Sequence, residues 1–399
     1  MSPRRPAVSD VPPGPPRVGV QVDYTMLAGH AELAGVARYA ALHGPWTIHT
    51  HPRGGFLGLS PGRPFDGDGM VIHANRGNVE TYKNAPFPVV NLGALVADPG
   101  LPSVLPDNRA IGRLAAEHLI ERGFGQLAFC GFRGHGYSQM RQAGIEEVAR
   151  RHGAVVHHYP EEEGSHPHKG TPEYHAMEHR NLTTWLQTLP NPIGVIAAND
   201  MRARHVLTAC QSAGLAVPEQ VAIIGVDGDE VLCESAVPAL SSVAIDFDRL
   251  GYEAAALLDR LMHGEPAPKR PVLLEPIGVF ARQSTDILAI EDEDLSRALR
   301  FIREHASNEQ LDVDDVLDEV LISRRSLERR FRETLGRSPQ AEITRVRIEK
   351  AKRLLAQSDM PMPKIAARSG FSSAARLAVV FRRETGEPPT AYRQRHRRT

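Results

Sequence analysis

The chain reads as a two-lobed α/β body followed by an all-α tail that carries two helix-turn-helix units. Three observations predict this. From Arg17 to about Thr285, short apolar runs alternate with helical patterns, as they do when parallel strands are joined by crossover helices. Near the C-terminus a helix-turn-helix pattern closed by Gly-x-x-Pro occurs twice, about fifty residues apart. Charge also reverses along the chain. Residues 320–399 hold 20 Lys and Arg against 7 Asp and Glu, a formal +13, while the whole 399-residue chain is −1, leaving −14 on the rest. A basic tail on an acidic body is expected where only the tail meets phosphates. The alternative is a helical tail with a solvated charged face, which does not explain why caps, turns and apolar stripes recur together.

Residues 1–16 are Pro-rich, with two Arg and no apolar core, and read as a disordered lead-in rather than a signal peptide. The body, 17–285, follows. Strands are predicted at 18–22, 47–50, 70–73, 89–92, 127–131, 155–158, 195–198 and 221–226. Helices are predicted at 27–42, 111–122, 140–152, 181–189, 202–213 and 250–262. The run 110–122 followed by 123–131 reads as a crossing from a first lobe into a second, and 240–262 as a crossing back. Two lobes joined this way enclose a hinged cleft, with ligands at the carboxyl ends of the strands. Cys130, Cys210 and Cys233 have neither metal-ligand nor paired spacing and read as reduced thiols of a cytoplasmic protein. No apolar run approaches 18 residues, so no membrane span is expected.

Residues 286–294 form an acidic linker, and a helix at 295–305 is expected to pack on the first unit of the tail, 295–399. In that unit Asp312 caps a helix over 313–320, Leu321 and Ile322 turn, and Ser323 caps a helix over 324–335 that Gly336 ends. Leu327, Phe331 and Leu335 fall four apart as one buried stripe. In the second unit 364–368 is a helix, Ser369-Gly370-Phe371 the turn, and either Ser372 or Ser373 caps a helix that stops at Gly386. Residues 340–358 form a joining rod of roughly 28 Å, against about 34 Å between adjacent major grooves. Arg324, Arg325, Arg329, Ser373, Ala374 and Arg376, with the capping positions Ser323 and Ser372, stand on the early turns and are the candidate DNA-reading residues. Arg330, Arg382, Arg383 and Arg393 read as phosphate contacts or solvated charges.

A sugar site needs planar polar groups beside an apolar ring face. Asn199 and Asp200 follow the strand at 195–198, Asp227 follows 221–226, and Arg141 opens a helix after the loop 132–139. Each has a plain alternative: Asn199 and Asp227 as turn or cap residues, Asp200 as a helix cap, Arg141 in a surface ion pair. Asp107, in Pro-Asp-Asn, is either a hinge or a ligand contact. Gly131, Gly134 and Gly136 do not have dinucleotide-loop spacing. His157, His158, His166, His168, His175 and His179 lie in a polar loop region and match no metal-ligand pattern. Nothing orients Cys130 and His135 as a nucleophile pair. No catalytic constellation, metal site or cofactor is expected, and the other class of reading is an α/β enzyme acting on a sugar or nucleotide, tethered to DNA by its tail.

The runs SRRSLERRF, RIEKAKRLL, IAARSGF and FRRETGEPPTAYR resemble the AraC-type DNA-binding domain. The runs PDNRAIGRLAAEHLIERGFGQLAFCG, GVIAANDMRARHVL and VAIIGVDGDE resemble the ligand domain of LacI-type regulators, which is itself similar to periplasmic sugar-binding proteins. The combination resembles the bacterial xylose operon regulators from about Arg17 onward. The resemblance implies a periplasmic-binding-protein-like body, a sugar effector with D-xylose foremost, double-stranded DNA as partner, a homodimer, contact with RNA polymerase, and activation. It implies Arg141 as the fork donor to sugar hydroxyls and Asn199 and Asp227 as acceptors. Three departures stand out. Ala28-Gly29-His30 replaces an aromatic-Gly-Arg, leaving His30 as the expected donor. Leu321 replaces a turn glycine, which predicts a wider turn. Leu377 replaces an aromatic.

Overall fold

The structure is a computed structural model that describes residues 14–23, 26–50, 65–160, 171–287, 292–358 and 360–396. Most of the lead-in, His166 and His168, and part of the acidic linker lie outside the described residues.

Val18 and Val20, each fully buried, alternate with small or polar residues in β1 (Arg17–Gln21). It pairs in parallel with β2 (Thr47–Thr50) and β3 (Gly69–Ile72), and β3 with β4 (Val89–Asn91), in the order β2-β1-β3-β4. A parallel bridge from Asn91 to Ser103 brings in β5 (Val104–Pro106). Helices α1 (Leu27–His43) and α2 (Val79–Lys83) complete this stretch of the first lobe.

The second lobe has six strands: β6 (Gln126–Cys130), β7 (Val155–His158), β8 (Ile193–Ala197), β9 (Val221–Asp227), β10 (Ser241–Ala244) and β12 (Gly278–Phe280). Their order is β12-β10-β9-β8-β6-β7, and only β12 runs antiparallel. Helices α3 (Asn108–Ile120), α4 (Gly136–His152), α5 (Pro172–Thr188), α6 (Asp200–Ala213) and α7 (Glu230–Glu234) belong to it. Helix α8 (Phe247–Met262) returns to pack on α1, and β11 (Val272–Leu274) pairs with β5.

The chain therefore crosses between lobes three times: after β5, after β10 and between β11 and β12. The first crossing precedes α3, which already packs on α4 of the second lobe, so it lies before the predicted 110–122. The strands that frame the crossings have three or four residues, too few for an alternation to register. Helices α4 and α5 also begin earlier than predicted because polar first turns show no apolar spacing. The start of α5 is set instead by the Thr171 hydroxyl, which accepts from Tyr174 N at 3.2 Å, ahead of Pro172.

The tail is α9 (Glu293–His305), α10 (Val313–Val320), α11 (Arg324–Leu335), α12 (Pro339–Gln357), α13 (Met362–Arg368), α14 (Ala374–Thr385) and α15 (Pro389–His396). Asp312 caps α10 in a reciprocal box with Asp315. Leu295, Leu299 and Ile302 of α9 are buried in the same core as Val316, Leu327, Phe331 and Ile343, so α9 is part of the first unit. Leu377 and Phe381 occupy the equivalent core of the second unit, with Ile348, Leu355 and Ile365.

Ion pairs, one of them buried, join tail to body. Arg303 of α9 donates to the buried Glu219 carboxylate of the second lobe and to the Asp286 carbonyl at 2.6 Å. Arg345 of α12 reaches the Asp286 carboxylate at 2.7 Å and Glu342 at 2.8 Å. Burial alone would raise the Glu342 pKa, but its hydrogen bond and charge pairing with Arg345, with Arg337 adding to them, hold it below the ordinary value.

The first turn is not widened. Leu321 takes the left-handed conformation, φ 55°, and its amide donates to Leu317 O at 2.9 Å, so leucine adopts the geometry that glycine would take without strain. Its side chain is 84% exposed and contributes little packing in return. Leu321→Gly is expected to stabilise the tail by about 1 kcal/mol, seen as a higher urea midpoint for the tail's unfolding in the full chain. An unchanged or lower midpoint would show that Leu321 carries no strain there.

Candidate sugar cleft and nucleic-acid interface

A cavity of about 230 Å³ lies between the lobes at the strand ends. The first lobe contributes Asp23, Gly29, Glu32, His73 and the segment Leu92 to Leu95; the second contributes Asn108, Tyr137, Arg141, Asn199 and Asp227; Phe247 and Pro106 stand at crossings. Arg141 is buried at its floor. Its Nε donates to Asn108 Oδ1 at 2.9 Å, one terminal nitrogen donates to the Ala198 carbonyl, and the other lies 3.8 Å from Asp227. The Tyr137 ring stacks on the guanidinium at 4.9 Å. Asp227 sits at φ 114°, outside the regions that non-glycine residues favour, where the end of β9 turns its side chain to the cavity. Burial lifts its carboxyl to about 7, with the Arg141 charge holding it back from going higher.

Opposite them, His73 at the end of β3 binds Glu32 of α1 at 2.7 Å. Burial alone would lower the His73 pKa; the Glu32 charge and hydrogen bond outweigh it and raise it. The lobes also meet at the mouth of α4. Gly136 N donates to Leu95 O at 2.9 Å, Tyr137 N to Ala94 O at 2.7 Å, and Arg76 to Gly134 O at 3.3 Å. First-lobe carbonyls thus satisfy amides that would otherwise be open at a helix start. A side chain at Gly136 would meet the Ala94 carbonyl and Ala97 at 2.8 Å, so only glycine permits this approach.

The structure brings Arg141, Asn199 and Asp227 together. Asn199 serves also as the α6 cap, accepting from Arg202 N at 2.8 Å. Two expected residues stand elsewhere. Asp200 does not line the cavity: its carboxylate accepts from Ser242 Oγ at 2.6 Å and Asp229 N at 2.7 Å, tying the start of α6 to β10 and to the cap of α7, and burial lifts it to about 6. His30 lies on the exposed side of α1, while Gly29 and Glu32 face the cavity. Sequence reasoning missed Glu32, His73 and Asn108. The strand-end rule alone pointed at His73, which directly follows an apolar run. Glu32 offered no signal, being a charge inside a helix.

The second surface is the exposed face of the recognition helices. The Ser323 and Ser373 hydroxyls accept from Ser326 N at 3.3 Å and Arg376 N at 3.1 Å, so both are caps and the choice between Ser372 and Ser373 falls to Ser373. Ser372 is exposed just outside α14, and Ala374 is half-buried. Arg325 and Arg376 are exposed and carry no ion pair among the described residues. Arg324 pairs with Asp314 at 2.5 Å, and Arg329 with Glu333 at 3.4 Å. Arg330 and Arg393 are not surface charges. Arg330 is held by Asp292 at 2.6 Å, and Arg393 donates to the Met360 carbonyl at 2.6 Å.

Known proteins match both halves. A periplasmic binding protein-like domain family matches residues 116–285, and a helix-turn-helix domain family matches 316–395. The xylose operon regulatory protein of Haemophilus influenzae is 32% identical over 323 residues, 79% of this chain and 81% of that protein. That of Escherichia coli K12 is 32% identical over 337 residues, 82% of this chain and 84% of that protein. The chain belongs to the xylose operon regulator family. A solved xylose-binding transcription activator superposes with a TM-score of 0.81 at 29% identity, covering 96% of this chain and 99% of that one. As a member of the family the chain is a transcription regulator, with a ligand-binding domain of periplasmic-binding type and an AraC-type DNA-binding tail.

Arg141→Leu removes a buried donor from Asn108, Ala198 and Asp227 at once. It is expected to lower stability by about 3 kcal/mol, measured by urea unfolding of the ligand-free protein. A loss below about 1 kcal/mol would mean that water already serves those acceptors.

Proposed function

We propose that this regulator binds a pentose, D-xylose first among them, in the interlobe cavity, and that binding favours the form in which the α4 latch is shut. The observation that carries this is the cavity itself: a buried guanidinium flanked by Tyr137, with Asn199 and Asp227 on one side and Glu32 and His73 on the other, a set suited to vicinal hydroxyls. The relatives' names supply the sugar. Arg141 donates to hydroxyl oxygens, and Asn199 and Asp227 accept. The ligand shifts the balance only by its preference for the closed form. In a homodimer, closure would reposition two tails through the Glu219–Arg303 and Asp286–Arg345 pairs, placing them on DNA so as to activate transcription with RNA polymerase in the cytoplasm.

Thermal unfolding with a panel of pentoses and hexoses tests the ligand. A sugar at a hundred times its dissociation constant adds about 2.7 kcal/mol; a shift with another sugar and none with xylose replaces the ligand, and no shift with any removes the sugar reading. Affinity is also expected to depend on pH. Asp227 accepts best when ionised, and its free-state pKa is about 7, so binding should weaken about tenfold from pH 8 to pH 6 by linkage, and Asp227→Asn should flatten the profile. Isothermal titration at both pH values reads this directly.

On the DNA side, Arg376→Ala should cost about 1–3 kcal/mol on the preferred sequence and relax specificity at one base pair. A uniform loss across all sequences in a competition binding assay would make Arg376 a phosphate contact instead.

A further inference from the structure

The two recognition helices align residue for residue at a spacing of fifty. Ser323 and Ser373 are their caps, and Leu327 with Leu377 and Phe331 with Phe381 are their fully buried anchors. Two matched outward positions between the caps and the second anchors differ in kind. In α11 they are Arg325 and Arg329; in α14 they are Ala375 and Val379. All four are exposed, Val379 by 64%. Leu377, Val380 and Phe381 hold the opposite side of α14 in the core, so Val379 is not needed there.

Ala375 and Val379 are four apart and share one face of the helix. Around them the same surface is basic, with exposed Arg376, Arg382 and Arg383. An apolar pair set among arginines, on a helix whose counterpart carries guanidinium groups at the same places, calls for an apolar feature inside a polyanion. The major groove has one, the 5-methyl group of thymine, whereas arginines at those positions match the two acceptors of guanine.

We infer that Val379, with Ala375 beside it, reads a thymine 5-methyl group, so that the second unit selects thymine by apolar contact while the first selects guanine by hydrogen bonding. This rests on the DNA-binding reading above and adds the base class to it.

The test uses the full chain with xylose present. Duplexes are first selected from a random pool. Each thymine of the selected site is then replaced singly by deoxyuridine, which removes the methyl group and nothing else. For the unaltered protein, one or two replacements should weaken binding by about threefold to tenfold, the range expected for one or two buried methyl groups. In Val379→Ala the loss at one of those positions should fall below about twofold, and in Val379→Thr, which keeps a methyl group, it should persist. Tolerance of deoxyuridine at every position overturns the inference, as does a loss that Val379→Ala leaves unchanged. Recovery of no preferred duplex at all would instead overturn the DNA-binding reading on which it stands.

Discussion

A buried guanidinium must be given partners, and much of the body is arranged to supply them to Arg141. Its three groups of contacts come from the first lobe crossing at Asn108, the end of β8 at Ala198 and the end of β9 at Asp227. Leaving any of these unmade would strand part of a buried charge, so the ends of three separate segments are pinned to one side chain. The strained backbone at Asp227 and its lifted carboxyl are the local cost of that arrangement. A carboxylate that titrates near neutrality is also one whose charge a bound hydroxyl can readily stabilise.

The same economy appears where the lobes touch. Helix α4 starts with open amides, and the first lobe's Ala94 and Leu95 carbonyls fill them across the cleft. Because Arg141 and Tyr137 lie on the first turns of that helix, cavity occupancy and the latch share one rigid element. From the second lobe the connection to the tail is short and ionic. Glu219 lies two residues before the strand that ends at Asp227, and it holds Arg303 of α9, a helix built through Leu295, Leu299 and Ile302 into the core of the first helix-turn-helix unit. Asp286 and Arg345 carry the same link to α12.

Helix α12 has 19 residues and sets the distance between the two recognition helices. The second unit has a core separate from the one that includes the first unit, so the rod rather than a shared interior fixes their spacing. The turn of the second unit is pressed against the end of α9: Gly370, at φ 76°, leaves no room for a side chain beside the Ala306 carbonyl, which also accepts from Arg347 at 2.9 Å. Both units therefore rest on α9, the helix that faces the body.

Local signals carried most of the tail. Asp312, Ser323 and Ser373 cap where their spacing says they should, and Leu327, Phe331, Leu377 and Phe381 are buried where the four-residue stripe puts them, because caps and stripes act within one or two turns of chain. In the body, the long strands were legible as apolar runs, Asn199 and Asp227 as polar groups at the ends of such runs, and Arg141 as a charge following the loop 132–139. The short strands at the crossings were not, since three or four residues show no period, and neither was the fate of Asp200, whose neighbours Ser242 and Asp229 come from other segments of the chain. By itself, then, the sequence determined the longer strands and helices, the buried stripes of the tail helices, and that a basic double helix-turn-helix follows an acidic α/β body. Only the tertiary structure decided that Glu32 and His73 complete the cavity, that His30 does not, that Arg330 and Arg393 are structural, and that Leu321 bends like a glycine. Those outcomes depend on groups distant in sequence meeting in space, and local periodicity holds no record of such meetings.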